Sequence, residues 1–203
     1  MHIQLLNTGK RYNREWIFRH CDYTFEAGKK YAITGSNGSG KSTLLQVICG
    51  ATTISEGSVQ YSMNNNSIAE ENAFKYLAVA APYLDLIEEM TATELLNFHA
   101  SFKPVNLPTN AILEAVELSN AAHKQIRYFS SGMKQRLKLA QAFFSEAPVL
   151  FLDEPTTNLD ANGAALYQRL LAENTTGKLV IICSNDPLEY QSAHAILNIG
   201  DYK

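Results

Sequence analysis

The nine residues from Gly35 to Thr43, reading GSNGSGKST, constrain this chain more than any others. They follow the apolar run Tyr31, Ala32 and Ile33 and precede a segment with Leu44, Leu45 and Ile48 on one helical face. Strand, glycine turn and helix in that order fit the pattern G-x-x-x-x-G-K-[ST], with Gly35, Gly40, Lys41 and Ser42 at its fixed places. At average residue usage those four positions match by chance in about one chain of this length in a hundred. Gly35, Gly38 and Gly40 let the backbone pass through positive φ, so N–H groups along Ser36, Asn37 and Ser39 can converge on one anion. The helix opening near Lys41 adds the positive end of its dipole at the same point. Lys41 suits the β and γ phosphates, and the Ser42 hydroxyl, beside Thr43, suits the Mg²⁺ that accompanies them. A glycine-rich turn with an incidental lysine is the bland alternative, and the strand-to-helix context disfavours it.

At 203 residues, 46% hydrophobic and 18% charged, the chain can bury a sizeable core and reads as one domain over 1–203. No apolar run approaches the roughly 20 residues that span a bilayer, and the N-terminus lacks an export leader, so an intracellular protein is expected. A net charge of −3 gives no basic field to hold nucleic acid. The local excess at Lys134, Arg136 and Lys138 reads as the wet face of a helix. Cys21, Cys49 and Cys183 have no metal or redox spacing and read as reduced core residues.

Read in order, His2 to Asn7 is expected as an edge strand and Trp16 to Phe25 as a second strand. Lys30 to Thr34 is a strand, Lys41 to Cys49 a helix ended by Gly50, Gly57 to Ser62 a hairpin strand, and MNNNSIAEEN a polar loop. Tyr76 to Ala81 is a buried strand that Pro82 terminates. From Thr91 the spacing turns helical: Thr91 and Glu94 form a capping-box pair, and Leu95, Leu96, Phe98 and Phe102 share a face. A helix over Asn110 to Leu118 follows, and then one capped by Ser130 or Ser131 with Leu137, Leu139, Ala140 and Phe143 inward. Val149 to Leu152, Leu179 to Cys183 and Ala195 to Ile199 are strands, and Asn162 to Leu171 is a helix. The fold expected is α/β, with a mostly parallel sheet, an antiparallel extension at the N-terminus and a helical subdomain. The core covers about 1–84 and 148–203, and the helical subdomain about 85–147.

The run VLFL ends in Asp153 and Glu154, which puts two carboxylates at the carboxyl end of a strand, where open α/β sheets bind ligands. Asp153 suits the shell of a Mg²⁺ ion. Glu154 suits polarising the water that attacks a γ phosphate. Alone the pair would read as the acidic start of a turn at Pro155; with Lys41 and Ser42 upstream it reads as the other half of a site.

With these residues in hand, the sequence resembles the ATP-binding cassette family, the motor subunits of ABC transporters, over essentially its whole length. GSNGSGKST resembles the family's phosphate loop, VLFLDEP its magnesium and catalytic-glutamate strand, TNLD its D-loop, and FSSGM at 129 to 133 a variant of its LSGGQ signature. The resemblance implies a P-loop NTPase core that binds ATP with Mg²⁺ and hydrolyses it in a head-to-tail dimer. Ser130 and Gly132 would then act on the nucleotide of the second copy, and Asp160 would communicate between the two sites. It also implies an integral membrane permease as a separate chain, which would hold the cassette at the inner face of the cell membrane. Tyr12 falls where the family stacks an aromatic ring on adenine, ahead of the other candidate, Trp16.

Two departures stand out. Where the family has a glutamine after the strand ending at Ala81, this chain has Pro82, which has no side-chain donor. Where the family has a switch histidine, this chain has Asn185, which can donate an amide hydrogen bond to phosphate but cannot carry a proton. The short cassette is similar to export-type subunits, including those of the haem-exporter kind. Alternatives are a soluble cassette ATPase serving as an assembly or scaffold factor without a permease, and a dimerising module that scarcely cleaves its nucleotide. Retention of Glu154 argues against the last.

Overall fold

Short, continuously apolar runs assemble into one parallel sheet because both of its faces are covered. In the computed structural model, which describes all 203 residues, the sheet has five strands in the order β6-β7-β8-β3-β9. Here β3 is Lys30–Thr34, β6 Leu77–Ala80, β7 Val149–Asp153, β8 Leu179–Cys183 and β9 Ala195–Asn198. Every residue of β7 and β8 is buried. Their side chains alternate between two cores: Leu150, Leu152, Val180 and Ile182 on one side, Val149, Phe151, Leu179 and Ile181 on the other. This is why VLFL shows no polar alternation.

The first core continues under the helices α3 (Ala92–Ala100), α4 (Thr109–Ala115), α5 (Ser131–Phe143) and α6 (Ala161–Glu173). Leu137, Leu139, Ala140 and Phe143 of α5 all point into it. The second core lies beneath α1 (Lys41–Ile48) and an antiparallel sheet of order β2-β1-β4-β5. That sheet comprises β1 His2–Tyr12, β2 Glu15–Phe25, β4 Glu56–Met63 and β5 Asn66–Ile68, and a one-turn helix α2, Glu70–Ala73, follows it. No helix is long and apolar enough to cross a membrane.

Several expectations are corrected. His2 to Asn7 belongs to a longer strand that lies inside its sheet, paired on one side with β2 and on the other with β4. The stretch taken as a polar loop holds β5 and α2, joined to β4 through Asn64 and Asn65 at φ 52 and 64. Two successive left-handed residues make the tight turn that matches the twist of a hairpin. Phe98 and Phe102 do not share the buried face of Leu95 and Leu96: Phe98, on the exposed side of α3, stacks edge to face, 5.0 Å apart, with Phe102 in the turn that follows. The helix expected over Asn110 to Leu118 runs from Thr109 to Ala115 instead.

The three cations of α5 are not a simple wet face. Lys134 pairs with Glu88, Arg136 donates to Glu117 at 2.7 Å, and Lys138 donates to the Pro82 carbonyl at 2.7 Å. Thr91 and Glu94 do form the reciprocal capping box at the start of α3. Cys21 and Cys183 are buried, Cys49 is half-buried, and all three are unbridged.

Candidate active site

The turn after β3 has the geometry its glycines allow. Gly35, Gly38 and Gly40 sit at φ 147, 75 and 104. A Cβ on Gly40 would lie 2.3 Å from Ile17 Cγ2, and one on Gly35 would lie 2.7 Å from Ser39 Oγ, so both positions need the absence of a side chain as well as the backbone freedom. Gly40 caps α1 without a side-chain hydrogen bond, and no acidic residue occupies the first turn. The helix therefore opens with free N–H groups and an uncompensated dipole, as an anion site requires.

Lys41 is buried and folds back over the turn, donating to the carbonyl of Gly35 at 2.9 Å. Its ammonium stands 3.9 Å from Glu154 Oε1. Two segments more than a hundred residues apart thus meet at the carboxyl ends of β3 and β7, the strands on either side of β8. Ile17, Asn37, Gly38, Ser42, Thr43 and Glu154 line an open cleft above Lys41.

Asp153 ends β7 with only 1% of its surface exposed, and its Oδ1 has no hydrogen-bond partner. Burial pushes its carboxyl above the ordinary carboxylate range, while the Ser42 hydroxyl and the Lys41 ammonium pull it back. A buried, underpaired oxygen beside a serine hydroxyl is a donor set that fits Mg²⁺, which takes one or two protein oxygens and draws the rest from phosphate and water. Glu154 adopts φ 44, a left-handed conformation costing a non-glycine residue about 1–2 kcal/mol. Burial raises its pKa above the usual value, and the nearby Glu189 carboxylate adds to this while Lys41 opposes it. A raised pKa suits a group that must take up a proton.

Asn185, just beyond β8, reaches the turn and donates to Asn37 Oδ1 at 2.9 Å. Ser130 caps α5 by accepting from the Met133 N–H at 3.2 Å. Together with Gly132, Arg136, Asn158 and Asp160 it lines a second cleft that shares no residue with the first. Asp160 caps α6 through the Gly163 N–H at 2.8 Å, with the Arg136 guanidinium 3.8 Å away. Pro82 contributes only its carbonyl, held by Lys138. Its neighbour Tyr83 is 45% exposed; partial desolvation raises its phenol pKa, and a hydrogen bond with Gln46 of α1 opposes that rise.

Tyr12 stands outside the cleft lining, 47% exposed, with the Lys10 ammonium 4.9 Å from its ring centre. The guanidinium groups of Arg11 and Arg19 stand 5.5 and 4.4 Å from the centre of the Trp16 ring. Sequence reasoning missed Ile17, the apolar wall of the cleft, and the buried Glu189. Ile17 has no motif to mark it; its one signal is its place next to Trp16, one of the two aromatic candidates.

A family model described as "ABC transporter" matches residues 18–157. Among curated proteins, the chain is 33% identical over 188 residues to the uncharacterized ABC transporter ATP-binding protein YybJ of Bacillus subtilis, spanning 90% of this chain and 85% of that one. It is 30% identical over 197 residues to the cytochrome c biogenesis ATP-binding export protein CcmA of Brucella abortus, spanning 95% and 89%. Among solved structures, a putative ABC transporter ATP-binding protein from Pyrococcus furiosus superposes with a TM-score of 0.84 at 21% identity, covering 100% of both chains. A dimeric ATP-binding cassette in a post-hydrolysis state with ADP and Pi matches with a TM-score of 0.83 at 22% identity, over 97% of this chain and 93% of that one. With the phosphate cradle and acidic strand end already in place, these likenesses identify the chain as a member of the ABC transporter family, one of its ATP-binding, ATP-hydrolysing subunits.

Proposed function

We propose that two copies of this chain close head to tail over two ATP molecules, and that closure and hydrolysis drive a separate integral membrane permease. Each γ phosphate then lies between Lys41 and Glu154 of one copy and Ser130 and Gly132 of the other. The observation that carries this reading is the 3.9 Å approach of Lys41 Nζ to Glu154 Oε1. The signature cleft is separate from that pair within one chain, which supports completion by a second copy. So does the dimeric, ADP-and-Pi-bound cassette among the structural neighbours.

In this reading the amides of Gly35 to Gly40 and the α1 N-terminus hold the phosphates, with Ser42 and Thr43 at the helix start. Ser42 and Asp153 would hold Mg²⁺, which would supply positive charge to offset that of the phosphates when bound. Glu154 orients a water and accepts its proton as the water oxygen bonds to the γ phosphorus. The bond to the bridging oxygen breaks, and ADP leaves with the electron pair. Asn185 donates to a γ-phosphate oxygen once released from Asn37, Tyr12 stacks on the adenine ring, and Asp160 links the two sites. The permease holds the subunit at the cytoplasmic face of the membrane. Curated relatives named as export proteins favour outward transport.

The test is ATPase activity across a dilution series. Specific activity that rises with concentration supports the shared site, whereas a strictly linear total rate contradicts it. Co-purification with a multi-span membrane protein after solubilisation supports the permease; recovery of the subunit without one contradicts it.

A further inference from the structure

One carboxylate near the site has, beyond its charge adding to the raised Glu154 pKa, no assigned role above. Glu189 lies four residues beyond Asn185, in the loop after β8, and is 2% exposed. Its Oε1 accepts from the Thr156 N–H at 2.8 Å and from the Thr156 hydroxyl, while Oε2 is buried without a partner. Its own backbone is pinned: the carbonyl accepts from the Tyr167 hydroxyl at 2.7 Å, and the N–H donates to the Asp186 carbonyl at 3.0 Å.

Burying a carboxylate is unfavourable by several kcal/mol unless hydrogen bonds compensate, and a purely space-filling role would be served better by an apolar side chain. What Glu189 holds is the segment two residues past Glu154, just after the left-handed turn at φ 44. The opposite side of the same segment is gripped by the signature helix. Gln135 Nε2 donates to the Pro155 carbonyl at 2.8 Å, and Arg136 approaches Asp160 at 3.8 Å. The run from Glu154 to Asp160 is therefore clamped between α5 and the Asn185 loop.

We propose that Glu189 is a positioning residue. By holding both donors of Thr156 it fixes the backbone reversal that aims Glu154, and it makes the loops bearing Asn185 and Glu154 move as one body. This rests on the reading of Glu154 as the group that orients the attacking water. It assigns Glu189 no contact with the nucleotide, so its loss should lower turnover and leave binding intact.

The test compares Glu189→Gln, Glu189→Ala, Thr156→Val and Glu154→Gln in the full chain, measuring kcat, KM for ATP, affinity for ADP and Tm. Glutamine keeps an acceptor oxygen for Thr156, so Glu189→Gln is expected to retain kcat within about threefold. Glu189→Ala removes two hydrogen bonds to a charged group and is expected to lower kcat by about tenfold or more, with KM and ADP affinity within about twofold. Thr156→Val removes one of the two and should fall between, which keeps the test decisive if the alanine chain does not fold. Unchanged kcat in Thr156→Val or Glu189→Ala overturns the proposal. So does a parallel loss of ADP affinity, or a glutamine variant no better than alanine. If Glu154→Gln leaves turnover unaltered, the reading of Glu154 has failed; if Glu154→Gln is inactive and Glu189→Ala is normal, only the positioning role has.

Discussion

Asp153→Asn should stabilise the nucleotide-free chain while abolishing its response to Mg²⁺. Asp153 is buried, its Oδ1 lacks a partner, and its pKa is raised by burial. A folded-state pKa above the unfolded value means that the native chain binds the proton more tightly. The stabilising share is then present below the unfolded pKa and is lost as pH rises through the folded one. At neutral pH the ionised group is a net burden until a cation arrives. An underpaired buried polar group costs about 1–3 kcal/mol, and in a domain of this size 1 kcal/mol moves Tm by about 2–4 °C. Because asparagine keeps some of the polar burden, a rise of about 2–6 °C is expected at pH 8 in EDTA, read by scanning calorimetry. The gap should narrow as pH falls toward the ordinary carboxylate range. With Mg²⁺ and ATP at about a hundred times the dissociation constant, the native chain gains about 2.7 kcal/mol and overtakes the variant. A lower Tm for Asp153→Asn in EDTA at pH 8, or full Mg²⁺-dependent stabilisation of the variant, would refute the reasoning.

Gly40→Ala should be far worse than Gly38→Ala, because a Cβ at 40 meets Ile17 at 2.3 Å while one at 38 meets nothing within 4 Å. The first should lower Tm and abolish ADP binding by titration calorimetry; the second carries only the left-handed penalty of about 1–2 kcal/mol. Asn185→Ala should lower turnover by about tenfold, the worth of one hydrogen bond to a charged group, whereas Asn185→His should leave the steady-state rate within about twofold. A large gain with histidine would mean that asparagine slows this enzyme. Mixing equal amounts of Lys41→Ala and Ser130→Phe chains, each inactive alone, should restore activity. The mixed dimer pairs an intact phosphate loop with the partner's intact signature, and continued silence would place the signature in cis.

The glycine turn, Lys41 and the acidic strand end were legible in the sequence because each is a local demand. Positive φ, a helix start and a strand end all leave marks within a few residues. The continuous runs of β7 and β8 were legible for a related reason, since a sheet covered on both faces cannot alternate. Pairing order is not local, and β1 read as an edge because its second partner, β4, lies more than forty residues downstream. Helical periodicity marked Phe98 and Phe102 as apolar but could not tell a face turned to the core from one turned outward. Glu189 carried no signal, because a glutamate in a polar stretch reads as solvated until Thr156 and Tyr167 are seen to enclose it. Lys138 was likewise invisible as a tie to the Pro82 carbonyl.

The most direct test of the account is a crystal structure of the Glu154→Gln chain, which should trap the closed state, grown with ATP and Mg²⁺. The account predicts a two-fold dimer with each γ phosphate held by Lys41 of one copy and by Ser130 and Gly132 of the other, with residue 154 facing the attack position. A nucleotide bound by the phosphate loop with the residue 153–154 strand end turned to a different cavity would contradict it.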